Sequence, residues 1–441
     1  MAHELGRPEP LDPRFDRSRG WREDRFGMFI HWGAYAVPAR GEWVRSYERL
    51  SVEDYQPAVD AFQPDPDFDA WAATAEAAGM KYAVLTAKHH DGYALFDSKL
   101  SDYTTAARLG RDFVAEFLAA FRARGIKVGL YFSLLDWSRP DYPHFGDLHH
   151  PMRDAEEFRD HAPDLDSYRA FMHGQVREIC SNYGELDILW FDFSYPGMGP
   201  GQWDAADLIK IVRELQPDAV LDNRLEGSGP EPGSILTGTP DPFSGDFTSP
   251  EQVIPAEGVR GVDGRPVPWE SCLTLNNHWG YCRSDADWKT APMLIHKLVE
   301  CVAKGGNILL NVGPDAHGVF PAQCRRILAE IGEWMEANAR SIRGCGPAGL
   351  PKPDWGWWTA GHGHLYAHVM EPPIGPLQLQ GLNRDQVAGV HLLSDGSEVP
   401  LVDAWSVADH PEETFVSFGP QPEWTYPLPD PVDTVLEVTL R

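Results

Sequence analysis

Between residues 20 and 340 the chain alternates short apolar runs with longer stretches of helical periodicity. The apolar runs are nearly continuous and rich in Val, Ile, Leu and Tyr, which is typical of parallel strands covered on both faces. They are GMFIHWG (27–33), KYAVLTAKHH (81–90), KVGLYFSLLDW (127–137), DILWFDF (187–193), AVLDNR (219–224) and NILLNVG (307–313).

The stretches between these runs repeat apolar residues every three or four positions, and several end in Gly, a common helix stop. They cover residues 68–80, 112–125, 167–184, 205–217, 292–306 and 321–342. Repeated strand and helix alternation predicts an α/β domain over residues 1–345 with a (β/α)8-like barrel. A doubly wound open sheet is the alternative, but no GxGxxG or Walker-type loop follows the first strand.

The pattern changes after residue 345. Short alternating runs separated by Gly, Pro and Asp-Gly turns replace the helical stretches, as in GHGHLYAHVM (361–370) and DTVLEVTLR (433–441). This texture predicts a C-terminal antiparallel β-sandwich over residues 346–441. We expect this domain to pack on the barrel, and we assign it no chemistry.

The charge balance argues against two classes of partner. Asp and Glu number 66 against 38 Lys and Arg, for a net charge of −28, and no basic run interrupts the excess. Phosphate backbones and anionic membranes would be repelled, so neither nucleic acid nor a membrane is expected as a partner. Whether the chain forms a homo-oligomer stays open.

Cysteine usage and the first residues bear on the cellular compartment. The six cysteines are far apart and form no CxxC pair, which is typical of reduced thiols in a cytoplasmic protein. The segment MAHELGRPEPLDPRFDRSRG (1–20) is polar where a signal peptide needs an apolar region. No continuous apolar stretch is long enough for a membrane span. We therefore expect a cytoplasmic protein.

Polar residues collect at the carboxyl ends of the predicted strands, where the active site of a parallel barrel lies. Each could singly be a satisfied core group, but their joint occurrence at one end favours a site. They are His31, Trp32, Lys88, His89, His90, Asp91, Tyr131, Asp192 and Arg224. Asp192 stands out because a carboxylate ends the apolar run of residues 188–191, and a buried charge needs partners.

The adjacent His89 and His90 allow a metal interpretation with Zn²⁺ or Mn²⁺. Neighbouring side chains on a strand point to opposite faces, so the two imidazoles share an ion only if the strand has already ended. No HxH or HExxH spacing surrounds them. Neutral hydrogen bonding to hydroxyl groups is favoured, and we expect no metal and no cofactor.

Seven segments, in order, resemble the successive motifs of the retaining α-L-fucosidases of glycoside hydrolase family 29. They are FGMFIHWGAYAVPARGEWV, AGMKYAVLTAKHHDGYALFDS, GLYFSLLDW, LDILWFDF, GDFTSPEQ, WESCLTLNNHWGY and GGNILLNVGPDAHG. The resemblance covers residues 20–345, and the tail is similar to the family's C-terminal β-sandwich. It implies an exo-acting hydrolase that releases terminal α-L-fucose from fucosylated oligosaccharides or glycosides by double displacement.

The resemblance also implies roles for two carboxyl groups. The Asp of the W-x-D motif is the family's nucleophile and falls on Asp192. The GDFTSPEQ segment resembles the motif of the acid/base, which falls on Glu251. Glu270 in PWESC is the rival, and we prefer Glu251 because a mobile loop can tune the pKa and the access of a general acid.

Further residues match positions that line the sugar pocket in the family. They are His31, Glu42, Trp43, His89, His90, Tyr131, Trp190 and Arg224. The resemblance implies that His and Glu groups hold hydroxyls and that aromatic rings face the apolar side and the C5 methyl of fucose. Phe132 is an alternative to Tyr131.

Two features depart from the family pattern. Phe193 follows the nucleophile position where many relatives have Gly, which predicts a narrower leaving-group site. Residues 225–268 are rich in Gly and Pro, and this loop region is expected to decide the aglycone. Two other functions stay open: a catalytically silent glycan-binding protein, and a metal-dependent barrel enzyme that uses the histidines.

Overall fold

A computed structural model describes residues 16–227, 233–237 and 240–441. Residues 1–15 of the polar segment 1–20, and residues 228–232 and 238–239 of the loop region 225–268, lie outside the described residues. Within the described ranges no helix is both long and apolar enough to cross a membrane.

The core of the larger unit is a sheet of parallel strands with the order β5-β4-β3-β2-β1-β7-β6. The strands are β1 (Phe26–Ile30), β2 (Tyr82–Lys88), β3 (Lys127–Ser133), β4 (Ile188–Asp192), β5 (Val220–Leu221), β6 (Glu270–Thr274) and β7 (Asn307–Val312). Every predicted apolar run overlaps one of them. β6 was not predicted as a strand, because ESCLT carries three polar residues among five.

The sheet curls into a barrel, and an irregular segment, residues 246–252, fills the gap between β5 and β6. On one side the Asp246 N–H donates to the Leu221 carbonyl at 2.7 Å. On the other side Glu251 pairs in parallel with Cys272 of β6, whose N–H donates to Pro250. We call residues 246–252 the closing segment. The predicted barrel is therefore confirmed: in the described part of the chain, seven strands and the closing segment complete it.

Helices connect the strands and pack outside the sheet. The longer ones are Val52–Ala61, Phe68–Ala77, Phe113–Ala123, Leu165–Asn182, Ala205–Leu215, Ala291–Ala303 and Ala322–Asn338. Shorter ones are Arg19–Asp24, Val44–Tyr47, Thr105–Leu109 and Pro200–Trp203. Asp67, Asp112 and Asp164 each accept a hydrogen bond from a first-turn N–H, so carboxylates fix where three of these helices begin.

Strand alternation separates the barrel interior from the layer under the helices. On β4, Ile188 and Trp190 face inward and join an interior cluster with Phe29, Tyr82 and other residues. Leu189 and Phe191 face outward into the larger core beneath the helices. Asp192 follows the inward register, which places its carboxylate on top of the interior cluster.

The C-terminal part consists of antiparallel strands. They are β8 (Gly346–Pro347), β9 (Gly356–Gly361), β10 (His364–Val369), β11 (Leu377–Asn383), β12 (Val387–Leu392), β13 (Glu413–Val416) and β14 (Thr434–Leu440). They form a five-stranded sheet and a β11-β13 pair around a separate apolar cluster, in agreement with the predicted sandwich. The domain boundary at 345/346 stays a prediction, and apolar packing crosses it, since Tyr366 and Val435 belong to the barrel-side core.

Asp246 anchors the closing segment. Its buried carboxylate accepts hydrogen bonds from Arg17 and Arg213, each at 2.6 Å, and from the Leu221 N–H at 2.9 Å. Removing one partner of such a buried network leaves charges and donors uncompensated.

We therefore expect Asp246→Ala to lower the free energy of unfolding by about 3 kcal/mol. Urea denaturation followed by tryptophan fluorescence measures this change. Asp241→Ala, an exposed position of the same loop, is the matched control and should change stability by less than about 0.5 kcal/mol. Equal stabilities of the two variants would show that the network does not anchor the closing segment.

Candidate active site

The polar side chains at the carboxyl ends of the strands converge on Asp192. Its carboxylate is buried, with 7% of the residue exposed. Arg224 Nη1 lies 3.0 Å from Oδ1, and the Tyr131 hydroxyl donates to Oδ2 at 2.9 Å. Burial raises the pKa of Asp192, while the positive charge of Arg224 and the Tyr131 hydrogen bond act in the opposite direction. The structure thus supplies the partners that a buried carboxylate needs.

Arg224 also binds a second carboxylate. Its Nη2 lies 2.9 Å from Glu251 Oε2, and its remaining donors contact the Ser249 hydroxyl and carbonyl. The guanidinium plane lies over the Trp190 ring, with 4.5 Å between the guanidinium carbon and the ring centroid. One buried cation therefore contacts both Asp192 and Glu251.

The structure places Glu251, which the sequence analysis expected on a mobile loop, against strand β6. It is part of the closing segment and pairs with Cys272 of β6, and the next residue, Gln252, donates its N–H to the Cys272 carbonyl at 3.0 Å. Its side chain is 35% exposed, in contrast to that of Asp192. The sequence did not predict this pairing, because the Gly- and Pro-rich composition of the region shows no strand pattern.

Glu270, the rival carboxylate, lies at the other end of the barrel. It begins β6, where it accepts a hydrogen bond from the Tyr82 hydroxyl at 2.5 Å, and only 1% of the residue is exposed. Burial raises the pKa of Glu270 to about 7. Because Tyr82 also begins its strand, Glu270 faces the amino ends of the strands, away from Asp192.

Three imidazoles form one wall of the site. His31 Nδ1 lies 2.6 Å from Asn311 Oδ1, and His90 Nδ1 lies 2.6 Å from the Ser133 hydroxyl. Burial lowers the pKa of His31 to about 3, and burial, with neighbouring imidazoles, lowers the pKa values of His89 and His90 well below the ordinary range. All three are neutral at pH 7, so each offers one donor and one acceptor nitrogen.

His89 carries an unused nitrogen. Its ring stacks on Tyr131 with 5.6 Å between centroids, and its buried Nδ1 has no hydrogen-bond partner among the described residues. A buried polar atom without a partner is costly, so a ligand hydroxyl is a natural partner for it.

His89 and His90 share one side of the chain because β2 ends at Lys88. Their ring centroids are 4.0 Å apart, so the strand alternation that argued against a shared ion does not apply here. Even so, the described part of the chain contains no group of three or more His, Cys, Asp or Glu residues placed to hold a metal ion.

Two other residues of the same sequence block turn away. The Lys88 ammonium lies between Asp136 and Gln175, at 3.1 and 3.0 Å, under the helix Leu165–Asn182. Asp91 accepts from the Tyr55 hydroxyl at 2.8 Å. Lys88 and Asp91 therefore serve packing and are not part of the site.

The remaining predicted residues occupy distinct places. Glu42 is buried and accepts from the Gly280 N–H at 2.8 Å, and burial raises its pKa. Trp43 packs edge-on against His90 with 5.1 Å between centroids. The Trp190 ring lies beneath the Arg224 guanidinium and stacks on the Tyr131 ring. Tyr131, and not Phe132, contacts Asp192, because Phe132 faces outward onto Lys88.

The sequence did not reveal the residues that hold the predicted ones in place. Asn311 and Ser133 orient His31 and His90, Ser249 orients Arg224, and Trp279 packs 5.1 Å from His31. Asn311 and Ser133 stand at or near the carboxyl ends of β7 and β3, so the strand-end rule used for the histidines could have found both.

Comparisons with known proteins show which proteins this chain is similar to. The family model described as alpha-L-fucosidase matches residues 11–340. The α-L-fucosidase of Dictyostelium discoideum is 30% identical over 389 residues, covering 80% of this chain and 78% of that protein. The tissue α-L-fucosidase of Bos taurus is 30% identical over 401 residues, covering 84% and 77%.

Solved structures are also similar. The α-L-fucosidase isoenzyme 1 from Paenibacillus thiaminolyticus superposes with a TM-score of 0.93 at 50% identity, covering 98% of this chain and 100% of that one. A GH29 α-L-fucosidase from Bacteroides thetaiotaomicron, trapped as a covalent intermediate with 2-fluoro-fucosyl fluoride, has a TM-score of 0.80 at 26% identity, covering 100% and 98%.

Proposed function

The chain belongs to the α-L-fucosidase family, and on that premise we propose that it removes terminal α-L-fucose from fucosylated glycans or glycosides with retention of configuration. The observation that carries the proposal is the shared contact of Arg224 with Asp192 and Glu251. A retaining glycosidase needs two carboxyl groups about 5 to 5.5 Å apart, one as nucleophile and one as acid/base. One guanidinium that binds both favours such a short separation.

We assign Asp192 as the nucleophile. In the first step its carboxylate oxygen forms a bond to C1 of fucose as the bond from C1 to the glycosidic oxygen breaks. The position at the end of β4 fixes the direction of attack, since Tyr131 and Arg224 each hold one oxygen. Arg224 favours the ionised form that attack requires.

We assign Glu251 as the acid/base. It donates a proton to the departing glycosidic oxygen, and in the second step the same carboxylate takes a proton from the water that attacks C1 and releases Asp192. Its partial exposure gives it access to leaving group and water, whereas Asp192 is buried. Glu270 is unsuited because it faces the opposite end of the barrel.

The neutral imidazoles and Glu42 suit a sugar with several hydroxyl groups. His89 Nδ1 has no partner among the described residues, and His90 Nε2 lies 4.0 Å from Asp192 Oδ2, so neutral imidazoles beside the nucleophile can exchange hydrogen bonds with hydroxyl groups. Glu42 can accept from hydroxyls, and Trp43 gives an apolar surface. These groups suit the binding of one terminal sugar residue. The presence of both Asp192 and Glu251 favours a hydrolase over a catalytically silent binding protein.

We also propose that the protein is cytoplasmic, and the state of its cysteine thiols supports this location. All six cysteines are free and buried in the structure. Free thiols in this number are typical of a reducing compartment.

Replacing the nucleophile gives the first test. We expect Asp192→Gly to reduce kcat for an aryl α-L-fucoside by roughly 10⁴-fold, with partial recovery in azide or formate, because a small anion fits the vacated space and attacks C1. Steady-state rates and NMR of the fucosyl azide formed measure the effect. Asp218→Ala, at the exposed turn before β5, is the control. Near-normal activity of the Gly variant without added anion would end the assignment.

The acid/base is tested through the leaving group. Glu251→Gln should slow fucosides with poor leaving groups by about 10²- to 10⁴-fold, and activated aryl fucosides far less, because only poor leaving groups need protonation. A Brønsted series of aryl fucosides measures this dependence. Glu270→Gln is the matched control, and the same leaving-group dependence there would move the role to Glu270.

The hydrogen bond from Tyr131 tests the electrostatics of the nucleophile. Kcat/KM should fall as pH drops through the pKa of Asp192, since only the ionised carboxylate attacks. Burial raises this pKa, and the Tyr131 hydrogen bond lowers it. Removing the hydroxyl in Tyr131→Phe should therefore raise the pKa and move the acidic limb of the profile to higher pH. An unchanged limb would show that Tyr131 does not stabilise the ionised form.

A further inference from the structure

The residue after the proposed nucleophile has an unusual backbone conformation. Phe193 has a φ angle of +130°, a region that glycine adopts readily and other residues rarely. Its ring packs 5.1 Å from the His90 ring and 5.4 Å from the Trp43 ring, measured between centroids. An aromatic residue therefore stands beside Asp192 in a conformation that glycine would adopt with less strain.

Phe193 joins the pocket to a patch of aromatic rings outside it. His149 packs 5.0 Å from Phe193 and 4.8 Å from Tyr195, and Tyr47 stacks on Trp43 at 5.8 Å. We name Tyr47, Trp43, His149, Phe193 and Tyr195 the outer aromatic surface. The patch is continuous, because every ring in it lies against at least one other member.

Hydrogen bonds keep this surface in place without substrate. The Tyr195 hydroxyl donates to Asp147 Oδ2 at 2.5 Å, and Asp147 Oδ1 accepts the His149 N–H at 2.8 Å. The Tyr142 hydroxyl lies 2.7 Å from the Tyr195 hydroxyl. A binding surface that is already ordered loses little conformational entropy when a ligand arrives.

The rings are partly open to solvent. Tyr47 is 73% exposed, and the other four members of the outer aromatic surface are partly buried. Aromatic faces suit the C–H face of a pyranose, while carboxylates at the rim can accept from its hydroxyls. Asp147 borders the patch through its contacts with Tyr195 and His149, and it is partly exposed.

We propose that the outer aromatic surface is a second sugar subsite, which stacks on the pyranose to which fucose is attached. This inference rests on the proposed function and extends it to the substrate class: a fucosylated disaccharide or longer glycan, with a flat C–H face on the second sugar. The surface is continuous with the pocket through Phe193 and His90, and a glycan extending from C1 of fucose remains close to both. An aglycone without a ring has nothing to stack on.

The experiment compares two substrates in each variant. The measured quantity is kcat/KM for a fucosyl disaccharide, with galactose or N-acetylglucosamine as second sugar, divided by kcat/KM for α-L-fucosyl fluoride. The fluoride has no second ring, so the ratio reports the subsite alone. We expect Tyr47→Ala and His149→Ala each to lower this ratio by about 10-fold.

Two controls separate stacking from other effects. Tyr47→Phe keeps the ring and should retain the wild-type ratio, and Trp424→Ala removes an aromatic residue that is 65% exposed on the C-terminal part. The subsite is refuted if the ratio is the same in wild type, Tyr47→Ala and His149→Ala, or if wild type cleaves the fluoride but no disaccharide. Failure of the wild type to cleave the fluoride would instead refute the proposed function.

Discussion

The site depends on one shared cation. Arg224 contacts Asp192 and Glu251 from the two ends of its guanidinium, at 3.0 and 2.9 Å, and it is itself 3% exposed. Two carboxylates that share one cation repel each other, and burial of the Asp192 charge without a partner would cost several kcal/mol. The guanidinium offsets both costs and sets the spacing of the two carboxylates. Their chemical difference then follows from exposure, because Asp192 is enclosed and Glu251 is not.

The barrel interior positions that cation. Trp190 lies beneath the guanidinium, and Phe29 and Tyr131 pack around Trp190 at 5.2 and 5.8 Å between ring centroids. These apolar rings exclude water from beneath the Arg224 guanidinium. Its N–H donors therefore point toward the rim of the barrel. The closing segment completes the arrangement, because Asp246 ties it to β5 while Glu251 and Ser249 meet Arg224.

The sequence predicted the parts of this site that obey strand periodicity. Asp192 could be placed because it continues the inward register of Ile188 and Trp190, and the strand ends carrying His31 and Tyr131 follow the same rule. Lys88 and Asp91 failed that rule because β2 has an irregular register at Thr86 and Lys88 and then ends. Strand β6 escaped prediction because three of its five residues are polar, and the closing segment escaped it because its Gly- and Pro-rich surroundings show no strand pattern. The family resemblance still pointed to Glu251.

The central claim is that Asp192 forms a transient bond to C1 of fucose while Glu251 serves the leaving group. Labelling with 2-deoxy-2-fluoro-α-L-fucosyl fluoride, followed by proteolysis and mass spectrometry, tests it most directly, because the fluorine slows release of the covalent intermediate. The account predicts one added fluorofucosyl group on the peptide that contains Asp192, with the bond at that carboxylate. A label on Glu251, Glu270 or any other side chain would contradict it.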